Sequence, residues 1–192
     1  MKVASYGESL EACLRGISPA APEGTPLHLA AREALEMAGA YFQDGRSFLA
    51  AGDLMNALAA FTYASGWLDA SSTLGLFSGE AFLGLPGFPE ESGSMEGDRI
   101  REKRARYRGM LAGALEALEC SPDPGSPLFP AATAVLGKAG DFLAEGDLHA
   151  GRGGEGDALA CYSHGHGWLD AGVRAGLLRI LHSRELFTVG PL

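Results

Sequence analysis

ALAAFTYASGWLDASSTLGLF (57–77) and ALACYSHGHGWLDAGVRAGLL (158–178) align at an offset of 101 residues, with ten of 21 positions identical. The word they share, GWLDA, holds both tryptophans of the chain, Trp67 and Trp168. A residue that recurs only inside one repeated word points to the copying of an ancestral unit, not to two independent uses of tryptophan. Outward from this stretch, Tyr6, Leu10 and Leu14 recur as Tyr107, Leu111 and Leu115, and Pro26-Leu27 recurs as Pro127-Leu128. FLAAGDL (48–54) also matches FLAEGDL (142–148), but at an offset of 94, which assigns seven extra residues to the second copy within HAGRGGEGD. A period of about 100 residues far exceeds the ~34 of a tetratricopeptide array, so each copy reads as a small domain rather than one turn of a solenoid.

Within each copy the periodicity is helical. Leu10, Cys13, Leu14 and Ile17 fall at three- and four-residue steps and are followed by the Pro-rich connection SPAAPEGTP. Thr25 before Pro26 is an N-cap with proline at the first helical position, opening a second helix that extends to Ala51. Gly52-Asp53 then closes one helix and caps the next. Gly146-Asp147 is expected to repeat that joint, with the extra residues delaying the next helix to about Asp157. Third helices are expected over 54 to about 77 and 157 to about 183, and nothing reads as strand, GMLAGALEALE (109–119) included. The expected class is all-α: two tandem three-helix bundles over residues 1–80 and 98–192. They are joined by a Gly/Pro/Ser-rich linker at 81–97, in which Phe82, Leu83, Leu85 and Phe88 are apolar enough to pack back.

The third helix of the first copy carries two apolar stripes, one through Leu58, Phe61 and Leu68, the other through Ala60, Ala64 and Trp67. Such a helix is central, which predicts that the two third helices meet around a pseudo-twofold axis. Gly66 and Gly167 each cost about 1 kcal/mol relative to alanine inside a helix, a penalty that the close approach of a neighbouring backbone or of the Trp indole can offset. Trp67 and Trp168 then either fill the core or, with Tyr63 and His164, form a face for another protein, and Asp69 or Asp170 is expected to bond an indole N–H or a helix end.

The pattern AYFxxGxxFLAAGDLxNALAAFTYAxGWLDAxxxLGL resembles the archaeal family known as domain of unknown function 357. The residues that carry the likeness are Gly52, Asp53, Ala57, Phe61, Tyr63, Ala64, Gly66, Trp67, Leu68, Asp69, Ala70 and Gly75. The second copy departs from it, with His164 and Gly165 in place of Tyr63 and Ala64. The resemblance implies a small three-helix domain in each half and an archaeal cytosolic setting, and it carries no activity.

The net charge is −9, and the acidity lies in the first half: residues 1–97 hold 4 Lys+Arg against 12 Asp+Glu, residues 98–192 hold 11 against 12. That balance disfavours a phosphate backbone as partner except at RIREKRARYR (99–108), where Arg99, Arg101, Arg104 and Arg108 lie within one basic run. Cys13, Cys120 and Cys161 are odd in number and lack CxxC spacing, which argues against a disulfide framework and fits a reducing cytoplasm. No window reaches the ~18 apolar residues of a membrane span.

Chemistry is sparse. GRGGEG (151–156) satisfies G-x-G-x-x-G but follows a helix instead of a strand, so it reads as a flexible insertion and not a dinucleotide fingerprint. His164 and His166 project about 200° apart on a helix and cannot share an ion, so neither a metal nor a cofactor is expected. Asp69, Asp170 and His166 are the polar candidates, and a pseudo-twofold arrangement would bring the two carboxylates together as an acid/base pair. The favoured reading is a non-enzymatic protein-interaction module. The alternatives are a small-ligand-binding protein or enzyme built on the duplicated aspartates, and an RNA-associated protein using the basic helix.

Overall fold

The computed structural model describes residues 2–79, 84–88 and 97–188. Each half contributes three helices, α1 (Val3–Gly16), α2 (Pro26–Ala50) and α3 (Leu54–Thr73), then α4 (Asp98–Glu116), α5 (Phe129–Gly151) and α6 (Glu155–Arg174). α1 buries Val3, Tyr6, Gly7, Leu10 and Cys13, the inward stripe of an amphipathic helix. α2 opens where expected: Thr25 accepts the His28 amide at 3.2 Å, with Pro26 at the first helical position. α3 and α6 are buried on every side across their middles, from Ala57 to Ser71 and from Ala158 to Gly172.

The two central helices cross backbone to backbone. A Cβ built on Gly66 would overlap the carbonyl oxygen of His164 and come within 3.2 Å of Gly167 Cα. A Cβ on Gly167 would overlap the carbonyl oxygen of Tyr63 and come within 3.1 Å of Gly66 Cα. Tyr63 and His164 are equivalent residues, so the contact is reciprocal, as an isologous interface requires. The two halves therefore pack as a pseudo-twofold pair of three-helix bundles, with Trp67 and Trp168 both buried in the shared core.

Four features differ from the sequence reading. α5 runs unbroken through Gly146 and Asp147 to Gly151, and the chain turns at Gly153, whose φ of 80° matches the 76° of Gly52. The joint thus sits at offset 101, like the rest of the duplication, and no insertion exists. FLAAGDL and FLAEGDL are not equivalent: seven residues are two helical turns, so the displaced match preserves the buried face and deceives. Gly146 is instead the counterpart of Gly45, and both are bare because a side chain would strike an aromatic ring of the third helix, Tyr162 and Phe61 respectively. GRGGEG is accordingly the inter-helix joint itself, and α6 begins at Glu155 rather than Asp157.

Secondly, the third helices stop at Thr73 and Arg174, short of 77 and 183. Thirdly, each half contains a small antiparallel ribbon. β1 (Ser18–Pro19) pairs with β2 (Phe77–Ser78), and β3 (Leu118–Cys120) pairs with β4 (Leu178–Ile180). The ribbons tie the end of each first helix to the end of each third, so the chain leaves the helix after Glu116 although the helical period of GMLAGALEALE continues to 119. Lastly, of the linker at 81–97, Phe82 and Leu83 lie outside the described residues. Phe88 is fully buried edge-on against Tyr6, with ring centroids 5.4 Å apart, and Leu85 packs on the same core. Among the described residues no helix is long and apolar enough to cross a membrane.

Candidate functional site

The crossing of α3 and α6 carries two polar networks related by the pseudo-twofold axis. In each, the aspartate of one GWLDA word meets the residue four positions before the tryptophan of the other. Asp69 lies 3.3 Å from His164 Nε2, and both side chains are almost wholly enclosed. His164 Nδ1 lies 2.9 Å from Ser65 Oγ, which is 2.7 Å from the Tyr6 hydroxyl. Gly84 N–H donates to Asp69 at 3.2 Å, so the segment after the first repeat closes this network.

The second network pairs Asp170 with Tyr63, whose hydroxyl donates to Asp170 Oδ2 across a short contact and lies 3.0 Å from Thr188 Oγ1. The Thr188 amide donates to Asp170 Oδ1 at 3.3 Å, so a chain segment following the second repeat closes it in the same way. Asp69 and Asp170 are therefore held in separate networks and do not form a carboxylate pair. Nor does either serve its own tryptophan: the Trp168 indole donates to His164 Nε2 at 3.2 Å, and the Trp67 indole N–H has no hydrogen-bond partner among the described residues. Tyr63, His164, Trp67 and Trp168 are all buried, at the contact between the two halves of the chain.

Burial pushes the Asp170 carboxyl above the usual carboxylate range, an effect that His166 and the hydrogen bonds from Tyr63 and Thr188 only partly offset. Burial, then the neighbouring Asp170, drives the Tyr63 hydroxyl well above its ordinary value. The sign follows from linkage. As pH rises from about 4, the unfolded chain releases the Asp170 proton before the folded chain does, so this group's contribution to stability falls until its folded value is passed. Asp170→Asn keeps the shape and removes the titration. Urea midpoints at pH 4 and pH 7 are expected to show the parent losing more stability than the variant over that interval; parallel losses would refute the assignment.

Above the second network lies a cleft of about 410 Å³. α2 and α4 form its sides, α3 and α6 its floor, and Glu185–Thr188 one edge. Its aromatic walls include Tyr41, Tyr63, Tyr107 and Tyr162, and its acidic groups are Asp44 and Glu185. Tyr41 and Tyr63 stack with centroids 4.3 Å apart. Lys103 and Arg106, 5.4 and 5.7 Å from the Tyr107 ring, do not line the cleft. His166 does line it, and its Nε2 lies 2.7 Å from the carbonyl oxygen of Leu186. A carbonyl can only accept, so Nε2 carries a proton, which leaves Nδ1 as the ring's other polar atom. That Nδ1 is buried and without a partner.

The arginines of the basic run are largely engaged within the chain. Arg104 pairs with Glu155 at 2.7 Å, Arg108 forks onto both oxygens of Asp147 at 2.7 Å, and Arg101 pairs with Asp98 on its own helix at 2.7 Å. Arg99 borders a separate small depression with Asp53, Asn56 and Lys103. His164 and His166 fall in different networks and share no site. Sequence reasoning missed Tyr41, Tyr107 and Tyr162, because an aromatic residue at helical spacing reads as core whether it faces a neighbour or a cleft.

A family model described as a protein of unknown function (DUF357) matches the chain twice, over residues 5–77 and 106–178, at the constant offset of 101 seen in the fold. No curated protein and no solved structure matches it.

Proposed function

We propose that this chain, which belongs to the DUF357 family through both of its halves, binds a small organic amine in the cleft between them. The observation that carries the reading is the lining of that cleft, in which Asp44 and Glu185 stand among tyrosine rings. Those two carboxylates with tyrosine faces, and no Lys or Arg among the described lining residues, favour an ammonium over a phosphate or carboxylate. A volume of about 410 Å³ lies within the ~300–1,000 Å³ of small-molecule sites. The protein-interaction module favoured from the sequence counts Trp67 and Trp168 among its interface candidates, and both are buried between the halves.

The test is a calorimetric titration of the full chain with phenethylamine and spermidine, and with ATP as an anionic control. Amine binding is expected, with no ATP binding. Asp44→Asn combined with Glu185→Gln is expected to weaken the amine by about tenfold, in keeping with the loss of two charge-assisted contacts. Equal affinity for ATP, or amine binding that ignores the double substitution, would refute the reading.

A further inference from the structure

The face that corresponds to the cleft under the pseudo-twofold axis is built differently. Where the cleft has Asp44, Phe48, Asn56 and Ala60, the equivalent positions carry Glu145, His149, Asp157 and Cys161. Two residues without coordinating atoms have thus been exchanged for an imidazole and a thiol, both beside carboxylates. Glu145 and His149 are four residues apart on α5 and share a face, while Cys161 approaches from α6. One donor atom from each of the three lies within 4.8 Å of the others.

We propose that Glu145, His149 and Cys161 bind a single divalent cation of the zinc class, with Asp157 orienting the histidine. The donor set of one thiolate, one imidazole and one carboxylate is that of borderline-soft cations. Tetrahedral coordination needs donors roughly 3.3–3.8 Å apart, given bonds of about 2.0–2.3 Å. His149 Nε2 is already 3.9 Å from Glu145 Oε1, and Glu145 is exposed and free to close the remaining gap. The other ring nitrogen, Nδ1, is 4.0 Å from Asp157 Oδ2. That is beyond hydrogen-bond distance, and a small ring rotation on binding would bring the carboxylate onto the non-ligating nitrogen, where it would set the ring's tautomer and basicity. Asp157 is itself fixed, because its Oδ1 accepts the Phe88 amide at 2.6 Å. Three protein donors leave a fourth position for water.

Binding exchanges a proton for the metal: the Cys161 S–H bond breaks, the sulfur–metal bond forms, and the proton passes to solvent. Burial, then the charges of Glu145 and Asp157, pushes the thiol up to about 12, so apparent affinity rises with pH.

The test is titration of the chelator-treated full chain with Co²⁺, read as the thiolate-to-cobalt charge-transfer band, followed by displacement with Zn²⁺. One equivalent of Co²⁺ is expected to saturate the band. Cys161→Ala should abolish it, His149→Phe should weaken binding at least tenfold, and Asp157→Asn should weaken it about tenfold. The first two substitutions install the residues that the other half uses at these positions, so the fold accommodates them, and circular dichroism confirms it. Cys120→Ser is expected to leave the band unchanged. No band with excess Co²⁺, or a band that survives Cys161→Ala, would overturn the proposal.

Discussion

Gly66→Ala is expected to lower the stability of the chain by about 3 kcal/mol, although the substitution ordinarily stabilises a helix. The intrinsic preference of alanine within a helix is worth about 1 kcal/mol in its favour. Against this, the new methyl group at Gly66 would overlap the backbone carbonyl of His164, and relief requires α3 and α6 to move apart. No flexible side chain is available to yield. Overpacking in a close-packed core costs about 1–3 kcal/mol and more where backbone must shift, and separating these helices also loosens both polar networks. Gly167→Ala should behave the same way, since its methyl would overlap the carbonyl of Tyr63. Gly109→Ala on α4 supplies the control, because a Cβ there meets nothing within 4 Å. It should stabilise by roughly 0.5–1 kcal/mol. Urea midpoints for the three variants decide the matter; a neutral or stabilising Gly66→Ala would show that the central helices do not touch at this point.

The two glycines also show how much of the architecture is legible in the residues. Repetition of GWLDA located the third helices, and their two-sided apolarity was enough to place them against each other, because a helix buried all round needs neighbours on every side. The joint between α5 and α6 was misread for a definite reason. Glycine serves two purposes here, turning the chain at Gly153 and clearing an aromatic ring at Gly146, and one-letter code does not distinguish them. The ribbons were invisible because two- and three-residue strands are too short to show alternation. The cleft was invisible for a different reason: it depends on which sides of α2 and α4 face each other across the axis, a relation between halves that neither half encodes alone. The same is true of Cys161, whose neighbours Glu145 and His149 lie on another helix.

Asp69→Ala is expected to cost about 2–3 kcal/mol, the upper part of the range for stranding buried polar groups and removing their packing partner. Asp69 and His164 are both fully enclosed, so neither water nor an alternative rotamer can replace the missing partner. The carboxylate also receives the Gly84 amide, which would be left without that acceptor, and His164 is already committed at Nδ1 to Ser65. Asp69→Asn should cost less, about 0.5–1 kcal/mol, because an amide still accepts from Gly84 and fills the same space. A double-mutant cycle with His164→Ala separates the pair from its surroundings. If the loss in Asp69→Ala comes mainly from stranding the imidazole, then removing both groups should cost less than the sum of the single losses by at least 1 kcal/mol. The two losses should instead add if Asp69 acts only as a cap for the segment at Gly84. Because α3 and α6 belong to both bundles at once, each variant should still unfold in one transition, reported equally by Trp67 and Trp168. A split transition would mean that the halves are stable apart and that the aspartate exchanged between them only decorates their contact.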